Sequence, residues 1–463
     1  MSLEHRSSLL SRRLEFSDRG MSSPSFTVLP SLSDEELLLS RLIQIQRSWV
    51  RLSPQRMKAL AATLGATEEK IVEALRKINS SSEEDAENKS GGIKDLQTGV
   101  LEDNISKVLN TQPRSTEDRA VGILTGVMIG DCLGAPVEGY PRVMIKEVFT
   151  NGTVDVFVPC THMGVRNLGY RYGMYTDDSN STLALATSLV SKKAINPADC
   201  GLEYAKWWQH TPTRGCPDSA SSVFKALLGG LHYSKSGRTR FLDGSFANGG
   251  AMKISPLGVA CRHADSKSLR CAVKYAIMST HAHPQAVDGA ACIAAAIGYA
   301  MGCTKLEDFN PTKMISRALE VTETKEMRER LETIHKRLKK IGAVKQVGKT
   351  LSELEDLQVL KELGGLDFQI KAIHAVPHVL WIAARYGMNP VDCMTNMISV
   401  GGDTDTTASM VGGIMGALHG TGWIPIRWWD NLENGEFGRD SAISLALSLA
   451  KLDIKDYKAP SDE

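Results

Sequence analysis

From Ser115 onward the chain is dominated by long runs of Ala, Leu, Met and Gly at helical spacing, at 117–134, 179–193, 285–303, 370–387 and 404–419. Apolar residues on a helical repeat mark helices with a buried face, and faces rich in Gly and Ala let helix axes approach closely. Strand-like runs are confined to 144–159, where a hairpin is expected. The spacing therefore predicts an all-α globular domain over residues 116–457, a compact multi-helix bundle whose site lies where several helices end.

The chain of 463 residues is long enough for more than one module. Residues 1–32 read as a disordered tail, and 33–78 as a small helical module with helices near 34–50, 54–64 and 67–78. Residues 79–115 open Ser-Ser-Ser-Glu-Glu-Asp and have the composition of a solvated linker; 458–463 form a terminal tail. The stretch from Leu60 to Val72 has the apolar spacing of a helix-turn-helix, but Glu68 and Glu69 would begin the helix that meets phosphate. Residues 1–115 also balance 16 basic against 16 acidic side chains. A protein partner for these helices is therefore expected rather than nucleic acid.

Overall, 54 basic residues against 53 acidic ones leave no electrostatic footprint for nucleic acid or an anionic membrane. No apolar run is expected to cross a bilayer, because Gly, Ser, His or charge interrupts each one. Nine cysteines, an odd number without a Cys-x-x-Cys pair, read as reduced core thiols. An intracellular, cytoplasmic protein is the expectation. Organelle targeting is the alternative that the Ser- and Arg-bearing first thirty residues leave open, against the acids Glu4, Glu15 and Asp18.

Two acidic clusters carry the chemistry, Tyr175-Thr176-Asp177-Asp178 and Gly401-Gly402-Asp403-Thr404-Asp405-Thr406. Each precedes a small-residue run, so both stand at helix N-termini. One oxygen suffices for a cap, whereas these clusters concentrate carboxylates that repel one another unless a cation intervenes. Carboxylate and hydroxyl donors suit Mg²⁺, Mn²⁺ or Ca²⁺ rather than zinc.

Three further elements accompany them. Gly130-Asp131-Cys132-Leu133-Gly134-Ala135-Pro136-Val137-Glu138 ends a small-residue helix and presents Glu138 in a loop. Gly244-Ser245-Phe246-Ala247-Asn248-Gly249-Gly250 frees backbone N–H groups to face a phosphate. Thr280-His281-Ala282-His283-Pro284 has no Cys or His partner group for zinc, so hydrogen-bonding or stacking roles are expected.

In this order and spacing, the five elements resemble the ADP-ribosylglycohydrolase family over roughly 116–455. The resemblance implies an ADP-ribosylglycohydrolase-like orthogonal bundle with a binuclear metal site. Thr176, Asp177, Asp178, Asp403, Asp405 and Thr406 would hold two Mg²⁺ ions, with Mn²⁺ a substitute. It also implies Asp131 beneath the site, and Gly244, Ser245, Phe246, Asn248, Gly249 and His281 around the ADP-ribose, with Phe246 and His281 as adenine-stacking candidates. Glu138, Asp403 and Asp405 would be the catalytic carboxylates, Glu138 as general acid, general base or gate.

The implied activity is metal-dependent release of ADP-ribose from a modified protein side chain. Two alternatives remain open here: hydrolysis of a small ADP-ribose conjugate or other N-glycoside, and a catalytically silent binding or structural protein. Two stretches depart from the family pattern. Ser179-Asn180-Ser181 is more polar than expected, and 310–368 reads as a charged, solvated hairpin of surface helices, with a family insertion or lid as the alternative.

Overall fold

The computed structural model describes residues 114–149, 152–158, 173–341, 350–366 and 368–460. The expected tail 1–32, the module 33–78 and nearly all of the linker 79–115 lie outside these residues, as do 461–463. The described helices, in chain order, begin with α1 (Thr116–Gly134), α2 (Arg142–Val148), α3 (Asp177–Lys192), α4 (Pro197–His210), α5 (Asp218–Leu228) and α6 (Tyr233–Ser236). They continue with α7 (Gly249–Met252), α8 (Ser255–Ala260), α9 (Ser266–Ile277), α10 (Pro284–Gly302), α11 (Pro311–Glu320) and α12 (Lys325–Ile341). The last are α13 (Asp356–Gly364), α14 (Ala372–Tyr386), α15 (Pro390–Val400), α16 (Thr404–His419), α17 (Ile426–Trp429) and α18 (Arg439–Leu449). No strand forms among the described residues; Pro141 bridges Gly401, and Ala247 bridges Lys371, as isolated pairs.

At the centre, α1 and α16 lie against each other with almost no side chain between them. Gly122, Gly126, Gly130 and Gly134 repeat every fourth residue and form one face of α1. A Cβ on any of them would strike backbone of Gly420, Gly412, Ala408 or Thr404 respectively. The order of those partners runs backwards along the chain, so the helices are antiparallel. That places the end of α1, with Asp131 and then Glu138, beside the start of α16, with Asp403 and Asp405.

At the opposite end, the buried charges of α1 are satisfied by protein. Arg119 donates to Ala300 O at 2.7 Å, to Ala417 O at 2.5 Å and to Cys303 O, thereby capping the last carbonyls of α10 and α16. Asp118 accepts from the Thr421 hydroxyl at 2.7 Å and from its N–H at 3.2 Å.

Three expectations need correction. Thr116–Val137 is long and apolar enough to cross a membrane by length and composition, with mean hydropathy 1.7, yet its apolar window is wholly buried among other helices. Its Val, Ile, Leu and Met residues raise the hydropathy and are covered by neighbouring helices, while its glycines allow the close packing. Among the described residues of 144–159 no hairpin forms: Pro141 precedes helix α2, which buries Ile145 and leaves Val143, Met144 and Val148 exposed. The charged segment after 310 is more than a solvated pair of helices. Met314, Ile315 and Ala318 of α11 and Met327, Leu331, Ile334 and Leu338 of α12 are buried. The eight described cysteines are unbonded, and Cys160 lies outside the described residues.

Candidate metal and substrate site

The site forms where the antiparallel pair ends. Glu138 follows α1 through a short turn, and its loop is joined to the start of α16 by two backbone bonds. Gly139 N–H donates to Gly402 O at 2.7 Å, and Gly402 N–H donates to Tyr140 O at 2.9 Å. Gly401 has φ +82°, and a Cβ there would meet the backbone of Tyr140 and Arg142, so this approach requires glycine. Arg142 anchors the far side by donating to Ser399 O at 2.8 Å.

The structure gathers Glu138, Asp403 and Asp405 so that one oxygen of each lies within 4.8 Å of the others. Asp177 and Asp178 stand on the α3 side, outside that tight group but within its field. Burial pushes Asp177 up to about 7, with the charges of Asp131 and Glu138 adding to the shift. Glu138 is likewise pushed up to about 7 by burial, then by Asp403 and Asp131. Burial and neighbouring carboxylates hold Asp178 and Asp405 well above the carboxylate range. Asp403 is raised by burial, against hydrogen bonds from Asp405, Asn248 and Thr406.

These groups form no ion pair among the described residues. An all-oxygen donor set, buried and self-repelling, fits a hard divalent cation better than it fits a bare interior. Thr176 and Thr406 are bound to the same clusters: the Thr176 hydroxyl donates to Asp178 at 3.0 Å, and Thr406 N–H donates to Asp405 at 2.8 Å.

Asp131 is fully buried. Its carboxylate accepts from Thr176 N–H at 2.8 Å, Ser179 N–H at 3.0 Å and the Ser179 hydroxyl at 2.6 Å. It therefore shapes the α3 turn, and the polar Ser179 is what Asp131 requires beneath it. Asn248 donates to Asp403 Oδ2 at 2.6 Å and to Gln369 O at 3.0 Å.

The glycine loop lies alongside. Gly244 has φ +84° and packs on the backbone of Ala282 and His283. Ala247 N–H already donates to Ser245 Oγ at 3.3 Å, and Asn248 N–H to Ile370 O at 2.9 Å. Among the described residues, the loop N–H groups without a protein partner are thus those of Ser245, Phe246, Gly249 and Gly250. Phe246 is exposed, with Lys371 Nζ 5.5 Å from its ring centroid. His281 lies against Gly249, while His283 caps α10 by accepting from Gln285 N–H at 3.2 Å.

The sequence reading missed two supports. Gln369 accepts from Asp403 N–H at 2.9 Å and donates to Gly401 O at 3.3 Å, spanning the acidic turn with one amide. Arg214 donates to both oxygens of Glu433, at 2.9 and 2.8 Å, and to Tyr175 O at 2.7 Å, bracing the strand of chain that enters the first cluster. Neither carries a local pattern, because each acts across more than thirty residues.

The sequence model of the ADP-ribosylglycohydrolase family matches residues 112–459. The chain belongs to the ADP-ribosylglycohydrolase family. Mouse "ADP-ribosylhydrolase ARH3" is 29% identical over 336 residues, covering 68% of this chain and 87% of the mouse protein. The human protein of that name is 28% identical over 335 residues, covering 68% and 89%. An uncharacterized protein of Archaeoglobus fulgidus is 27% identical over 332 residues, covering 71% and 96%. A solved "ADP-ribosylglycohydrolase-related protein complex" chain superposes with TM-score 0.51 at 22% identity, covering 73% of this chain and 99% of that one. This is the all-α ADP-ribosylglycohydrolase fold. All five sequence elements fall inside the matched span, and residues 1–111 precede it.

Proposed function

We propose that the protein hydrolyses the glycosidic bond between ADP-ribose and a modified protein side chain, with Mg²⁺ as its metal. The observation that carries this reading is the trio Glu138, Asp403 and Asp405, with ligand oxygens within 4.8 Å of one another, in a chain of this family. Thr176, Asp177, Asp178, Asp403, Asp405 and Thr406 are the side chains that would hold two ions, with Mn²⁺ a substitute. Ions bound there supply positive charge, a template for vicinal ribose hydroxyls and a lowered pKa for water.

The protein's own groups do the rest. Breaking the bond at the anomeric carbon builds oxocarbenium character, which nearby carboxylates stabilise. Glu138, a carboxyl gathered against Asp403 and Asp405, can protonate the leaving oxygen or take a proton from the incoming water. Asn248 and Gln369 fix the orientation of Asp403. The free N–H groups of the glycine loop face the diphosphate, and Phe246 offers a ring to the adenine. Glu138 beside Asp403 and Asp405 favours an O-linked substrate, because an alkoxide leaving group requires a proton. In the same reading the protein acts inside the cell, and residues 33–78 dock a protein partner.

The test is release of ADP-ribose from serine-modified and arginine-modified peptides, followed by mass spectrometry. The assay is run with Mg²⁺, with chelator, and with Asp403→Ala and Glu138→Ala. Metal-dependent release from the serine peptide that both variants abolish is expected. No release from either peptide sinks the reading and turns attention to small ADP-ribose conjugates. Removing residues 1–112 should leave release intact while abolishing localisation or assembly.

A further inference from the structure

The Tyr175–Thr176 peptide, which leads into the first acidic cluster, is gripped at both of its polar atoms. Its carbonyl accepts from Arg214 Nη1 at 2.7 Å, and its N–H donates to Asp131 Oδ1 at 2.8 Å. The peptide is trans, so these two atoms point to opposite edges of one plane, and the two contacts together oppose its rotation. A tilt of that plane would be passed along the chain to Thr176, Asp177 and Asp178 at once.

Arg214 is itself held firmly. It is buried, donates to both oxygens of Glu433 at 2.9 and 2.8 Å, and its Cζ lies 3.6 Å from the centroid of the Tyr175 ring. The loop that carries Glu433 closes on the same tyrosine. Glu433 N–H donates to Gly173 O at 2.9 Å, and the Tyr175 hydroxyl donates to Phe437 O at 2.8 Å. A planar guanidinium docked on a carboxylate through two parallel bonds keeps little freedom, so Nη1 stays aimed at the Tyr175 carbonyl. Pairing with Glu433 also offsets the charge of Arg214. The residue therefore contributes geometry at the cluster rather than a cation that competes with a metal ion.

We propose that Arg214, oriented by Glu433, is a positioning residue: by fixing the Tyr175–Thr176 peptide it shifts the ion preference of the first cluster from Ca²⁺ toward Mg²⁺. The inference rests on the functional reading above for its ion. Mg²⁺ is small and demands near-ideal octahedral geometry, whereas Ca²⁺ accepts more oxygens in flexible arrangements. A cluster whose entry peptide is loosened thus loses Mg²⁺ affinity first.

The test is calorimetric titration of the full chain, stripped by chelator, with Mg²⁺ alone and with Ca²⁺ alone. Arg214→Lys keeps the charge but loses the fork. It should raise the Kd for Mg²⁺ about tenfold, the loss expected when support behind a metal ligand is removed, and the Kd for Ca²⁺ by about twofold or less. Glu433→Gln should move the same ratio in the same direction by about threefold, since Arg214 keeps the Tyr175 carbonyl but loses its charged anchor. Retention of fold is read from the thermal transition of each metal-free variant, and Glu433→Gln carries the test should Arg214→Lys unfold. The double variant Arg214→Met/Glu433→Met removes both charges together and should retain the Mg²⁺-specific loss. Equal weakening of both ions overturns the inference, because a general loss of the site does not discriminate between them. Recovery of Mg²⁺ binding in the double variant overturns it too, because the effect would then belong to charge. Wild-type protein that binds neither ion defeats the functional reading and this inference with it, whereas bound Mg²⁺ with unmoved variants defeats this inference alone.

Discussion

The two ends of the α1–α16 pair treat buried charge in opposite ways. At one end, Arg119 and Asp118 are enclosed and matched by carbonyls, a hydroxyl and an N–H group. At the other, Glu138, Asp403 and Asp405 crowd together with no cationic side chain paired to them among the described residues. A single scaffold can thus be complete at one end and wait for an outside cation at the other. The first end is built for stability, and the second spends stability on binding.

The largest test of that contrast is Asp405→Asn. Turnover should fall on the order of 10³-fold, because a carboxylate that would hold the metal is lost. The same change should raise the melting temperature of the chelated protein by about 2 °C or more, since it removes one of several repelling charges. A drop in melting temperature would break the comparison.

Next is Gly412→Ala, which forces a Cβ into the backbone of Gly126. It should cost about 3 kcal/mol, equally with and without Mg²⁺. A loss that Mg²⁺ repairs would mean the seam and the acidic end are not separable; denaturant titration with and without the ion decides.

A smaller effect follows from pH. Glu138 and Asp177 are pushed up to about 7 when folded, above the ordinary carboxylate range of the unfolded chain. The folded state therefore binds more protons, and its stability is full at acid pH and lost as pH rises through about 7. Chelated protein should melt lower at pH 8 than at pH 6, and Mg²⁺ should raise the transition more at pH 8. A chelated melting curve independent of pH would show that these groups are already neutralised.

The smallest effect is expected of Ser179→Ala. Asp131 loses its 2.6 Å partner but keeps two N–H donors, so about 1 kcal/mol and a few-fold weaker Mg²⁺ binding should result. Isothermal titration with Mg²⁺ measures it, and an unchanged affinity would show that the α3 turn holds its shape without the hydroxyl.

The core helices were legible because small-residue periodicity is a local property; 404–419, for example, coincides with α16. The acidic clusters were legible for the same reason, each lying in one short stretch at a helix start. What stayed hidden depends on contacts across the fold. Gln369 and the Arg214–Glu433 pair have ordinary neighbours in sequence and gain their meaning only when the loops meet. Helix α2 was misread because its Val, Met and Ile residues suit a strand, while its exposed face supplies no helical stripe to contradict that. The polarity of Ser179 was visible, but its partner Asp131 lies 48 positions earlier.

The glycine seam carries a consequence for how such a protein can change. A contact made of backbone alone offers no side chain to enlarge, shrink or exchange, so it has no neighbouring solutions for a mutational walk to visit. New substrate preferences must then arise in the surrounding loops, such as those bearing Glu138, Phe246 and Glu433, while the two central helices remain an inherited constant.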